Sequence, residues 1–204
     1  MWIGAVRVLS VRRLPHRQRL VRRHPAASER FRDAATHRNE DMNTHRNIPS
    51  AEAEDQHTAR LASDILTHIP LARAMALSVD AYDGDSLTLS APLAPNANDK
   101  GCAFGGSLVS LMTLAGWGLI KLALDRHGRD CDIYVQDSDV RYVAPVWDDF
   151  AAVARLVNGE SFAAMFETLA ARGRARARVR CIVPLADGSA AATLEARFVA
   201  IERR

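Results

Sequence analysis

The chain has 204 residues, 48% of them hydrophobic and 25% charged, which is the make-up of a soluble globular protein of one domain or at most two. Lys and Arg number 27 against 24 Asp and Glu, a net charge of +3. The excess sits in residues 1–28, which hold seven arginines and no acid, while the remaining 176 residues sum to −4; a basic arm on an acidic body excludes a nucleic-acid-binding core.

Residues 1–54 are expected to stand outside the fold as a disordered or non-native Arg-rich extension. The first 28 fit an acid-free transit peptide or a tail for a nucleic acid or membrane surface. Their composition favours an upstream extension without a folded role: no helical face is sustained, and few bulky apolar residues follow Leu20 to offset the entropy of ordering. The peptide Thr-His-Arg-Asn recurs at 36–39 and 44–47, too short for a structural repeat. Met42, between the copies, marks an alternative start that leaves 163 residues. The domain is taken as residues 55–204.

From about Asp55 to Met75, Leu61, Ile65 and either His68 or Ile69 share one face, which predicts a helix closed by Pro70. Strand-like runs at Ala76–Tyr82 and Ser86–Leu93 flank Asp83-Gly84, a tight-turn pair. A loop from Ala94 to Gly106 follows. Residues 107–127 then read as a helix capped by Ser107 and ended by Gly128, roughly 31 Å long at about 1.5 Å per residue. Leu108, Leu111, Met112, Leu114, Trp117, Leu119, Ile120 and Leu122 leave it almost no polar face, so it is either buried or membrane-spanning. Ser107, Ser110, Thr113, Gly116 and Lys121 interrupt the apolar run, which is shorter than the roughly 20 residues a bilayer needs. A long helix wrapped by a curved sheet is therefore expected, with no membrane partner.

Strands are predicted near Ile133–Val143 and Phe150–Val157, a short helix at 160–172, and two more strands joined at Asp187-Gly188. Arg174, Arg176, Arg178 and Arg180 alternate with Ala175, Ala177, Val179 and Cys181, which places four arginines on one face of a strand. That face is read as solvated in preference to phosphate-binding. The element order predicts an α+β domain.

Cys102, Cys131 and Cys181 lack metal-ligand spacing and cannot all pair, so no zinc site or disulfide framework is expected and a reducing, cytoplasmic compartment is. No phosphate-loop lysine, dinucleotide fingerprint or His-Glu-x-x-His helix occurs, and neither a cofactor nor a metal is expected. Gly84-Asp85-Ser86-Leu87 spells a lipase signature, but a serine nucleophile needs a nearby base, and no histidine follows His127. The letters sit on a hairpin turn instead. The histidines read as exposed or locally satisfied side chains.

The candidate chemistry lies in Pro95-Asn96-Ala97-Asn98-Asp99-Lys100-Gly101-Cys102-Ala103-Phe104-Gly105-Gly106-Ser107. Two glycines where a buried helix begins let a ligand approach backbone N–H groups, whose donors and helix dipole stabilise a developing oxyanion. Asn98 and Asp99 stand one loop away, placed to orient or deprotonate water. Ser107, Ser110 and Thr113 recur at i, i+3 spacing as a hydroxyl stripe. The same residues also suit a plain glycine-rich turn with capping side chains.

The element order and this loop resemble the hot-dog-fold thioesterase superfamily, an antiparallel sheet wrapped around one long central helix and assembled as dimers or larger oligomers. Asn98-x-x-Gly101-x-x-Phe104-Gly105-Gly106 is similar to the Asn-x-x-Gly-x-x-His-Gly-Gly pattern of the phenylacetyl-CoA thioesterase branch. Closer still, Asn98-Asp99-Lys100-Gly101, Ala103-Phe104-Gly105-Gly106-Ser107, Leu114-Ala115-Gly116-Trp117-Gly118, Gln136-Asp137-Ser138 and Arg141-Tyr142 resemble the thioesterase family named for the C-terminal domain of YiiD. The likeness spans residues 65–202. It departs from the phenylacetyl-CoA branch where that branch is titratable: Phe104 replaces the histidine and Thr113 the helix carboxylate. The resemblance implies hydrolysis of an acyl thioester carried on coenzyme A or an acyl carrier protein. The Gly106 N–H would then polarise the carbonyl, Asn98 would hold the loop or the water, and Asp99 or Asp137 would be the general base. Phe104, Gly105, Ser107, Ser110, Thr113 and Ser138 would bind substrate. The strand bearing Asp137 commonly lies at the dimer interface in this superfamily, so Asp137 could act in a partner's site or be a plain surface aspartate. The alternative is a non-catalytic dimer that binds acyl chains. A hot-dog dehydratase is disfavoured, because it needs the histidine that Phe104 replaces.

Overall fold

The computed structural model describes residues 51–203, with side chains from Gln56 onward; the arm at residues 1–50 lies outside the described residues. Helix α1 covers Ala51–His68 and α2 Pro70–Ala74. Pro70 does not close a single helix, as the sequence suggested, but opens the second. Proline lacks an N–H and has a φ already suited to the first turn, so it is at home at a helix start. The hairpin strands are β1 (Ser78–Tyr82) and β2 (Ser86–Ala91). Helix α3 (Gly105–Arg126) is followed by β3 (Cys131–Tyr142), β4 (Phe150–Leu156), α4 (Phe162–Arg172), β5 (Arg174–Pro184) and β6 (Ala190–Glu202).

The six strands form one antiparallel sheet in the order β1-β2-β4-β5-β6-β3, and α3 packs against five of them. This is the α+β, hot-dog-like arrangement expected. The period of two in β5 holds: Ala175, Ala177, Val179, Cys181 and Val183 are buried toward the helix while the four arginines are exposed. On the outer face Arg178 pairs with Glu160 at 2.9 Å and Arg180 with Glu195 at 3.7 Å, and Arg176 donates to Gln136 Oε1 at 2.8 Å. Among the described residues α3 alone is long and apolar enough to cross a bilayer, yet 61% of that stretch is buried within the fold.

The sheet comes close to α3 where the helix has no side chains. An added Cβ on Gly116 would lie 2.8 Å from the Phe198 ring of β6, and one on Gly118 would lie 2.7 Å from Leu87 of β2. Cys181 seals the same contact, its thiol donating to the Met112 carbonyl at 3.1 Å. Burial pushes that thiol up to about 12, which makes it an inert packing group. Helix α3 ends as predicted, with Gly128 at φ 62° and the Arg129 N–H reaching back to the Leu124 carbonyl at 3.0 Å.

Ser86 opens β2 directly after the hairpin turn. Asp83 accepts the Ser86 N–H at 2.6 Å, the Asp85 N–H at 3.0 Å and the Ser86 hydroxyl at 2.8 Å. Burial opposes ionisation of Asp83, but these bonds and Arg155 together hold its carboxyl below the usual value. His68 and His127 each place Nδ1 on a carbonyl one turn back, at 3.0 and 2.9 Å.

Gly116→Ala tests the close packing. Alanine gains about 1 kcal/mol of helix propensity, but its methyl meets a phenyl ring that is 1% exposed and cannot swing away. Overpacking of that kind costs about 1–3 kcal/mol. A net loss of up to about 2 kcal/mol is expected, read as a Tm lower by up to roughly 8 °C.

Candidate active site at the start of the central helix

The loop between β2 and α3 is built on two asparagines. Asn96 is 2% exposed. Its Nδ2 donates to the Met75 and Pro92 carbonyls at 2.9 and 2.7 Å, and its carbonyl accepts the Phe104 N–H at 2.7 Å. It thus joins three segments at the point where the helix begins. Asn98 organises the outer turn. Its Oδ1 accepts the Lys100 N–H at 2.8 Å, its Nδ2 lies 3.2 Å from Cys102 Sγ, and its carbonyl accepts the Gly101 N–H at 3.0 Å. Gly101 sits at φ 82°, which the turn requires and which L side chains rarely adopt.

Helix α3 starts earlier than the sequence suggested. Its N-cap is Phe104, with no side-chain hydrogen bond, and Ser107 lies inside the first turn. A phenyl ring has no acceptor, and the amides of Gly105, Gly106 and Ser107 have no intrahelical partner. The Phe104 ring, 55% exposed, lies over Gly106: an added Cβ there would fall 2.2 Å from Phe104 Cε1. Beside Gly105 stands Tyr142, the last residue of β3, whose hydroxyl donates to the Gly105 carbonyl at 3.1 Å. A cleft of about 340 Å³ opens here, lined by Ala103, Gly105, Leu108 and residues 142–145. Down the helix, Ser107, Ser110 and Thr113 are half-buried and lead to half-buried Trp117 and Lys121. They mark the side of α3 that the fold leaves partly open.

The two candidate bases lie elsewhere. Both Asp99 oxygens are 2.9 Å from Lys100 Nζ, and the side chain is 79% exposed. The bond from Lys100, together with its positive charge, holds the Asp99 carboxyl below the usual range. Asp137 lies beyond a β-bulge between Val135 and Asp137, paired across to Arg197, with which it forms an ion pair at 3.3 Å. Ser138, next along, pairs with buried Ala196. Cross-strand partners share a face, so Ser138 faces α3 and Asp137 faces outward. The structure therefore gathers Phe104, Gly105, Gly106 and Ser107, with Asn98 as the loop's internal brace. Neither Asp99 nor Asp137 lines the cleft.

Sequence reasoning did not single out Asn96 or Tyr142 as site residues. Asn96 stood among several polar loop residues with nothing to mark its burial. For Tyr142 the signal was its place in the Arg141-Tyr142 motif.

Comparison with known proteins sets this geometry in context. The family model described as "Putative thioesterase (yiiD_Cterm)" matches residues 58–202. A "putative thioesterase" of Shewanella oneidensis is 28% identical, with a TM-score of 0.65 over 72% of this chain and 99% of its own. A Chlorobaculum tepidum protein of unknown function is also 28% identical, with a TM-score of 0.69 over 74% of this chain and 97% of its own. A Haemophilus influenzae thioesterase shares the fold at 14% identity, with a TM-score of 0.55 over 71% of this chain and 90% of its own.

A double-mutant cycle checks the contact at the helix start. Gly106→Ala alone must push the Phe104 ring aside, with an expected cost of about 1 kcal/mol. In a Phe104→Ala background the same change is expected to be neutral or stabilising. A coupling of at least about 0.5 kcal/mol, from denaturant unfolding of the four proteins, is the predicted readout.

Proposed function

The chain belongs to the putative-thioesterase family of the YiiD C-terminal domain, and on that premise we propose that it hydrolyses an acyl thioester carried on coenzyme A or an acyl carrier protein. The observation that carries the reading is the uncapped start of α3, where the N-cap Phe104 offers the Gly106 N–H no side-chain acceptor and the neighbouring Gly105 lines a cleft. A thioester carbonyl placed there would accept that N–H, and the helix dipole would favour the oxyanion as water adds. One such donor is typically worth about 3 kcal/mol in the transition state. Collapse of the tetrahedral intermediate expels the thiolate and leaves the carboxylic acid. The acyl chain would run along Ser110 and Thr113 toward Ser138, with Phe104, Gly105 and Ser107 around the reacting group.

Asp99 is the base that this chain offers from the loop that leads into α3 and Gly106, with Asn98 holding the loop in place. Asp137 faces away from α3 in its own chain. It would serve only in the site of a second copy, paired along the open edge of β3 in a homodimer. The reading places the protein in the cytoplasm, in keeping with three free, buried cysteines. One observation favours the second reading, a dimer that binds acyl thioesters without turnover: among the described residues, Tyr142 is the sole titratable side chain lining the cleft.

Thiol release from short, medium, long and aromatic acyl-CoAs, against a protein-only blank, separates the two readings. Turnover supports hydrolysis; saturable binding by calorimetry without thiol release supports the binding dimer. Asp99→Asn is expected to lower kcat/KM by roughly 100- to 10,000-fold. The acid limb of the pH–rate profile should lie below the usual aspartate range, since Lys100 depresses the Asp99 carboxyl. Lys100→Ala removes that stabilisation of the charged form, so the limb should move to higher pH. A limb that stays in place, with full activity in Asp99→Asn, transfers the role to Asp137, and loss of activity in Asp137→Asn would then be required.

A further inference from the structure

The Tyr142 hydroxyl donates to the Gly105 carbonyl at 3.1 Å. That carbonyl belongs to the same peptide unit as the Gly106 N–H, the group assigned above to the thioester oxygen. A hydrogen bond accepted by the oxygen of an amide draws electron density from its nitrogen and makes the N–H a stronger donor. A carbonyl oxygen has two lone pairs, so it can serve Tyr142 and the helix ladder together.

We propose that Tyr142 is a positioning residue that sets the direction and donor strength of the Gly106 N–H. The inference rests on the thioesterase reading for its consequence in turnover, but its physical content, the polarised Gly105–Gly106 peptide, stands apart from it. The fold supports the role in two further ways. The ring is 3.4 Å from where a Cβ on Gly105 would lie, so a side chain at 105 would crowd the ring that carries the hydroxyl. Tyr142 also pairs with Ala192, which is 0% exposed, so the register of β3 against β6 turns the phenol toward α3. The side chain is otherwise 56% exposed, as its partner at the helix start lies at the rim of the cleft.

The test is Tyr142→Phe, which keeps the ring and removes only the donor. In protein labelled with 15N-glycine, the Gly106 amide proton is expected to shift upfield as its donor strength falls. With a thioester that turns over, kcat should drop about two- to eight-fold at unchanged KM. That is a fraction of the effect of deleting an oxyanion donor outright, because only its reinforcement is lost. An unmoved Gly106 amide with unchanged kcat overturns the proposal. A raised KM at unchanged kcat also overturns it, by assigning the hydroxyl to ground-state substrate binding. Wild-type protein that turns over no thioester refutes the thioesterase reading, and the Gly106 shift then decides the role of Tyr142 by itself.

Discussion

A helix with almost no polar face has to be enclosed over most of its surface, and the rest of this structure follows from enclosing α3. Leu111, Met112, Leu119, Leu122 and Leu124 are all fully buried although they point in different directions around the helix. One packed layer cannot cover them, so the sheet follows the helix from β2 to β3 while α1 closes over Gly118. The enclosure requires the helix to be narrow where the sheet is nearest. Gly116 and Gly118 provide that, each admitting a large side chain from a different strand. Burial of side chains on this scale, at about 25 cal/mol per Å² of apolar surface, is the dominant favourable contribution to the fold.

Enclosure also decides where polar backbone can meet a ligand. Along the body of α3 the peptide groups are satisfied within the helix, and only the first turn leaves N–H groups without partners. Two amide side chains in the preceding loop bond elsewhere. Asn96 ties the loop to Met75 and Pro92, and Asn98 braces the outer turn against Lys100 and Cys102. The residue at the cap position is a phenylalanine, whose ring has nothing to donate or accept. A hydrogen-bonded loop thus delivers an uncapped helix start to the rim of a small cleft. The carboxylates meanwhile are held at the surface by Lys100 and Arg197. The site is strong in fixed dipoles and poor in titratable groups, which sets it apart from the His-bearing pattern of the phenylacetyl-CoA branch.

Strand β3 is the other element that shapes the helix start. It lies at the edge of the sheet, paired on one side only, with Tyr134, Val135 and Tyr142 largely exposed. Its bulge divides the strand into two halves with opposite facing parity. Before the bulge Ile133 and Val135 pair with Ala200 and Phe198 on the helix side; after it Ser138, Val140 and Tyr142 take that side. The shift sends Asp137 to the outer face beside Arg197 and brings the Tyr142 hydroxyl to Gly105. One extra residue therefore selects which chemistry reaches the helix start.

The sequence by itself determined the elements and their order, because those depend on local periodicity. The apolar run after Ser107 favoured a central helix over a membrane span, the Arg-Ala alternation from 174 a strand with one wet face, and Asp83-Gly84 a hairpin turn. It also located the glycine pair at the helix start, and its motifs pointed to the family. What it left open were matters of parity and of distance along the chain. Strict alternation from Ile133 would aim Asp137 at the helix, and a bulge, set by the fit of β3 to β6, reverses that. The pairing of Tyr142 with Gly105 joins residues 37 apart, and Asn96 reaches Met75 across 21. Such contacts exist only once the sheet has closed on the helix. The cap position moved from Ser107 to Phe104 for the same reason: Asn96 and Val146 hold the backbone of residues 103 and 104 through tertiary hydrogen bonds, and these outweigh the local preference for a serine at the cap.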